Sequence, residues 1–245
     1  MPHKLSVSVM FGALFLAASH LGWAQNPAST AMPSKFAQPP GAETALIGKL
    51  IDESEALYKA GASASEVLSN AKFDAARAWP RFRSGVRRSA KAAPLTLVSQ
   101  SEAGVQLVVR GRLIDATGKG VPGALVYVYH TDSRGLYAED AIHVAGDSGD
   151  WKHARLFGYL KTGAEGEFQL RTIRPAGYPG SDLPQHIHFG VEDEALRISA
   201  EIGFDDDPRL GPAARVRFQS RGNVVARVTR DAEGNHVAVV EVALR

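Results

Sequence analysis

The chain has 245 residues, 44% of them hydrophobic, enough for one ordinary domain with a real core plus an accessory segment, so disorder is not the default. A formal charge of +2 is too balanced to point to nucleic acid as a partner. The absence of cysteine excludes disulfides, zinc–thiolate sites and cysteine nucleophiles.

The N-terminal residues "MPHKLSVSVMFGALFLAASHLGWAQ" open weakly basic at His3 and Lys4 and run apolar from about Leu5 to Leu21. Small residues follow, suiting cleavage between Ala24 and Gln25 with Gly22 at the minus-three position. A membrane anchor is the alternative, but the stretch is short, is interrupted by Ser and His, and has no basic stop behind it. Residues 1–24 therefore read as a signal peptide. The expectation is an exported protein, periplasmic or secreted, with no membrane span in the mature chain. Residues 25–41, rich in Pro, Ser and Ala, read as a flexible leader.

Residues 42–92 read as helical. Leu46, Ile47, Leu50, Ile51, Leu57 and Tyr58 recur at helical spacing, with Thr44 near the start and Gly61 as the break. "SASEVLSNAKFDAARAW" predicts a second helix, with Ser65 as its cap and Pro80 stopping or kinking it. Arg77, Arg81, Arg83, Arg87, Arg88 and Lys91 then follow with no acidic residue among them, and read as a solvated basic face. An anionic contact or a subunit interface is the other use for such a run, and the helical segment is one place to build a homodimer.

From about residue 94 the period changes to two. Nine short runs rich in β-branched and aromatic residues, from "PLTLVSQ" to "HVAVVEVAL", are separated by Gly-rich turns such as "DATGKGVPG" and "DAEGNH". Residues 93–245 are thus expected to form an antiparallel β-sandwich, so the fold class is mainly β with a helical N-terminal segment.

One of those runs carries chemistry. In "GYPGSDLPQHIHFGV", His186 and His188 are two apart in a strand, so both imidazoles point to one face. Alone, such a pair is as well explained by a polar strand face. Tyr178 precedes it in a Gly/Pro turn, and "VPGALVYVYHTDSRGLYAED" ends a strand with a loop bearing Asp132, Arg134, Gly135 and Tyr137. Phenolates are hard, anionic donors that suit ferric iron, with neutral imidazoles completing the set. Zinc or copper on the histidines is the rival metal reading.

The stretches "GKGVPGALVYVYHTDSRGLY", "TGAEGEFQLRTIRPAGYP", "HIHF" and "ISAEIGFDDDP" together resemble the intradiol (ortho-cleaving) ring dioxygenases, in order and spacing, over roughly residues 105–205. The resemblance implies a transthyretin-like β-sandwich and a non-haem Fe(III) held by Tyr137, Tyr178, His186 and His188. It implies a small aromatic diol and O2 as reactants, a muconate-type product, and Tyr178 as a catalytic, dissociating ligand. Two positions depart from the family pattern: Leu183 stands where an Arg precedes the first histidine by three, and Glu201 where a Gln is usual. Glu201, Arg155 and Trp151 are the candidates for contacting substrate. His130 either lines the pocket or faces solvent, His143 and His153 read as loop polarity, and His236 as exposed in a hairpin. A non-catalytic transthyretin-like binding module is the alternative of a different class, but it has no need of two tyrosines beside an H-x-H pair.

Overall fold

The computed structural model describes residues 44–138, 154–192 and 197–244, all within one unit, Lys35–Arg245. The expected signal peptide and leader, together with Trp151, His143 and His153, lie outside the described residues.

Helix α1, Ala45–Lys59, begins where Thr44 accepts the Ile47 N–H at 3.3 Å and ends before Gly61, whose φ of +97° only glycine adopts freely. The expected second helix is broken in two. Helix α2, Ala64–Leu68, is capped not by Ser65 but by Ser63, in a capping box with Glu66. Asn70 then interrupts by accepting the Lys72 N–H at 3.0 Å, which starts a 3-10 turn over Ala71–Ala76. Pro80 does not stop a helix; it opens α3, Pro80–Arg88, where its missing N–H costs nothing. Nor is the basic run solvated throughout, although Arg81, Arg87, Arg88 and Lys91 are exposed. Arg77 and Arg83 are buried, Arg81 pairs with Asp52 and Glu55, and Arg87 lies 2.8 Å from Glu192.

All nine apolar runs form strands: β1 Leu95–Thr96, β2 Gln106–Ile114, β3 Leu125–His130, β4 Leu156–Lys161, β5 Glu167–Ile173, β6 His186–Glu192, β7 Arg197–Phe204, β8 Val224–Arg230 and β9 His236–Ala243. The protein is mainly β, but the strands join in one continuous sheet, ordered β1-β5-β2-β9-β8-β7-β6-β3-β4. Nor is it purely antiparallel, because β1 with β5, β2 with β9, and β7 with β8 run parallel. Parallel neighbours need a crossover connection, and between β7 and β8 it is α4, Pro212–Ser220, a helix absent from the sequence expectation.

The sheet curls until its two edges meet. A Cβ on Gly158 of β4 would lie 2.6 Å from Leu97 and 2.8 Å from Leu95, so only glycine lets the β1 end approach. Leu68, Phe73, Phe82 and Val86 of the helical segment join the same apolar cluster as Leu113, Val126, Phe157 and Ile202 of the sheet. With helices on one face and core on the other, five of the six β4 residues are buried, which is why "LFGYL" reads as a continuous apolar run. Among the described residues, no helix is long and apolar enough to cross a membrane.

Candidate metal centre

The loop after β3 is built on Asp132. Its carboxylate accepts the backbone N–H groups of Arg134 at 2.8 Å and Leu136 at 3.0 Å, and the Arg134 side chain at 2.9 Å. Its own N–H donates to the Leu136 carbonyl at 2.8 Å. This turn presents Tyr137. Gly135 sits inside it at φ +83°, where a Cβ would fall 2.3 Å from the Gly177 carbonyl oxygen. The loop therefore lies directly on the segment that delivers Tyr178. Two bonds hold the segments together: the Ala176 N–H donates to the Asp132 carbonyl at 3.1 Å, and the Thr131 hydroxyl to the Ala176 carbonyl at 2.7 Å.

The histidines come from β6, flanked by β3 and β7. Tyr129 of β3 is directly opposite His188, and the two rings stack with centroids 4.3 Å apart and planes 6° from parallel. His186 holds its Nδ1 2.7 Å from the Pro184 carbonyl. A carbonyl only accepts, so Nδ1 carries the hydrogen and Nε2 presents a lone pair, the usual arrangement of a metal-ligating histidine.

The four side chains converge. The Tyr137 and Tyr178 hydroxyls are 2.5 Å apart, Tyr137 is 2.8 Å from His188 Nε2, and Tyr178 is 2.9 Å from His186 Nε2 and 3.5 Å from His188 Nε2. The two Nε2 atoms are 3.2 Å apart. Tyr137 and Tyr178 are 2% and 5% exposed, so two phenols and two imidazoles face one point out of bulk water. Four lone-pair donors with so few hydrogens among them form a set that a cation would complete.

Glu201 lies opposite His188 in register, and its Oε1 is 4.0 Å from His186 Nε2. His186, His188 and Glu201 thus offer a second, three-member cluster able to hold a metal. Asn223 fixes Glu201, donating to its Oε2 at 2.9 Å and accepting the Glu201 N–H at 2.9 Å. Arg155 is otherwise engaged: its guanidinium is bidentate on Glu102, at 2.6 and 2.7 Å. Leu183 is 39% exposed. His130 neither lines the pocket nor faces solvent. It is fully buried, with Nδ1 2.7 Å from the Thr131 carbonyl and Nε2 2.7 Å from the Thr172 hydroxyl, and burial pushes its pKa down to about 4. His236 is not in the hairpin turn but starts β9, half-buried with Nδ1 3.5 Å from Arg174, and desolvation and that charge lower its pKa.

Sequence reasoning missed Tyr129, Asn223 and Asp207. Asp207 is buried and accepts the Gln185 N–H at 2.6 Å, which fixes the entry to β6. Tyr129 was within reach: "YVYH" alternates on a strand, and pairing it with "HIHF" sets one tyrosine against one histidine. Nothing in "RGN" marks Asn223.

Residues 80–243, about two thirds of the chain, match a family described as Dioxygenase. The chain belongs to the intradiol dioxygenase family. It is similar to a catechol 1,2-dioxygenase of Acinetobacter lwoffii, 27% identical over 194 residues, covering 67% of this chain and 60% of that protein. It is also similar to the protocatechuate 3,4-dioxygenase beta chain of Burkholderia cepacia, 32% identical over 135 residues, or 48% of this chain and 56% of that one. Among solved structures, the dioxygenase domain of a carbohydrate-binding fusion protein from Streptomyces sp. SirexAA-E is 25% identical, with a TM-score of 0.46 over 63% of this chain and 88% of that one. The chain spans roughly 60% of the length of the curated relatives just named.

Proposed function

We propose that this protein is an exported intradiol dioxygenase, holding a non-haem Fe(III) on Tyr137, Tyr178, His186 and His188 and cleaving a catechol-type aromatic diol with O2 to a muconate-type dicarboxylate. The observation that carries the reading is the convergence of two phenols and two imidazoles within 3.5 Å across five donor–donor distances. The donor set fits the ion: anionic oxygens match a hard trivalent cation, and His186 Nε2 is already turned inward by the Pro184 carbonyl. Glu201 favours a zinc-type site on His186 and His188, but it stands 4.0 Å off while the phenol oxygens are at 2.8 and 2.9 Å.

When bound, iron supplies Lewis acidity and electron transfer between the diol and O2. The protein's own contribution is positional and protonic. The Tyr178 oxygen, hydrogen-bonded to both Tyr137 and His186, is placed to accept a proton from an incoming diol hydroxyl. Tyr129 braces His188 from behind, and the Asp132 turn fixes Tyr137. Glu201 places a carboxylate at the edge of the site, and Leu183 sets an apolar side chain where the family pattern has a cation. The Glu201 carboxylate favours a diol without an acidic substituent over a carboxylated one.

The test is the visible absorption spectrum of protein purified with iron, repeated after anaerobic addition of catechol, followed by oxygen uptake. A phenolate-to-iron charge-transfer band that shifts with catechol is expected. A colourless protein retaining zinc or copper would replace this reading with the His186–His188–Glu201 site. A colourless protein that loses all metal on dialysis would leave a binding module.

A further inference from the structure

Two arginines of the helical segment are buried against residues 154 and 155, whose backbone meets Tyr137. Arg77, 2% exposed, donates from Nη1 to the carbonyls of Leu97 at 2.9 Å and Arg155 at 3.2 Å, and from Nη2 to that of Leu68. Its Nε is 2.8 Å from Asp74 Oδ1. Arg83, 9% exposed, donates from Nη1 to the carbonyls of Ala154 at 2.9 Å and Arg77 at 3.3 Å, and from Nη2 to the Tyr127 hydroxyl. Its guanidinium carbon lies over Phe157, 3.6 Å from the ring centroid. A buried guanidinium is costly unless its donors are used, and here, besides the bonds to Leu68, Leu97, Arg77 and Tyr127, each arginine spends one bond on the consecutive carbonyls of residues 154 and 155.

Those two residues lead straight to the site. The Arg155 N–H donates to the Tyr137 carbonyl at 2.7 Å, the Arg155 side chain is locked on Glu102, and Ala154, fully buried, packs with Tyr137 and Tyr178 in one small cluster. The path is therefore continuous: α3 and the turn before it, then two peptide carbonyls, then one peptide N–H, then Tyr137, whose hydroxyl is 2.8 Å from His188. Docking helices on a sheet needs only apolar contact, and Phe73, Phe82 and Val86 already supply it. The arginines add something apolar packing cannot: they fix two peptide groups in orientation.

We propose that Arg77 and Arg83 are positioning residues for Tyr137: Arg83 holds the Ala154–Arg155 peptide and Arg77 the Arg155–Leu156 peptide after it, so that the Arg155 N–H between them holds the Tyr137 backbone and sets the phenol in place. This rests on Tyr137 as an iron ligand, the reading given above, and extends the site into the helical segment. The role differs from simple stabilisation, since it predicts a local effect at Arg155 and at the metal.

The experiment compares wild type with Arg83→Met, Arg83→Lys and Val67→Ala in the full chain. Methionine keeps the apolar stem on Phe157 but donates nothing; lysine retains a donor; Val67→Ala lowers stability through a core cavity off the path. Hydrogen exchange of the Arg155 amide, read without metal, should quicken about tenfold more in Arg83→Met than in Val67→Ala, the loss expected of one charge-assisted bond. In the ferric proteins, the phenolate band should weaken or shift in Arg83→Met, recover in Arg83→Lys, and stay unchanged in Val67→Ala. Arg155 exchange that merely follows global stability, with an unaltered band, would overturn the proposal. A colourless wild type would count against the iron reading alone, because the amide rates are measured on apo-protein.

Discussion

His130 makes the fold acid-sensitive in a way that can be worked out in advance. It is fully buried with both ring nitrogens bonded, Nδ1 facing the Thr131 carbonyl and Nε2 the Thr172 hydroxyl, so the neutral ring is satisfied and a second proton has no welcome. Burial, opposed in part by the Thr131 carbonyl, lowers its pKa from 6.5 to about 4. The neutral form therefore stabilises the native state fully above pH 6.5, and that contribution is lost as pH falls from 6.5 to 4. In total it amounts to about 3 kcal/mol. Between pH 7 and pH 5 the unfolded chain takes up about 0.7 of a proton at this position and the folded chain about 0.1, which costs about 2 kcal/mol. Urea unfolding of wild type and His130→Gln at both pH values isolates the effect. The variant, whatever its absolute stability, should lose about 2 kcal/mol less than wild type over that interval. Equal losses in the two proteins would show that His130 titrates normally in the fold and refute the reasoning.

Three further outcomes are expected at the site itself. Gly135→Ala forces a side chain into φ +83° and against the Gly177 carbonyl, and should cost about 2–4 kcal/mol in denaturant unfolding while lowering the iron bound per chain. Tyr178→Phe should retain a weaker charge-transfer band through Tyr137 but lose oxygen uptake by roughly 10²–10⁴-fold, the contribution of a positioned proton acceptor. Ferric loading at a free concentration a hundred times its dissociation constant should raise unfolding stability by about 2.7 kcal/mol, read as a shift in the urea midpoint that a chelator reverses.

The β elements were legible because each strand repeats its apolar residues on one face or runs apolar where both faces are covered. The four converging donors were legible only as a set: two lie one residue apart on a strand, the others sit in turns, and it is the family resemblance in order and spacing that joins them. Helix α4 was not: in "PAARVRFQS" only Phe218 is buried, and Val216 is 68% exposed, so no apolar stripe marks it. The burial of two members of the basic run was hidden for a related reason. A sequence displays the charges of Arg77 and Arg83 but not the peptide carbonyls that receive them, which come from residues up to 78 positions away. The single sheet with its parallel pairs was hidden as well, since strand patterns fix which face is buried and leave neighbour order open.

That neighbour order bears on when the protein can exist. The strand latest in the chain, β9, lies between β2 and β8 and carries the hydrogen bonds that join β1-β5-β2 to β8-β7-β6-β3-β4. Until residues 236–243 are available, the two groups of strands have no backbone ladder between them, and the Tyr137–His188 half can assemble only as an open, unclosed sheet. Closure of the sheet therefore waits on the last of these strands. Loss of β9 alone would leave two sheet fragments where there had been one protein.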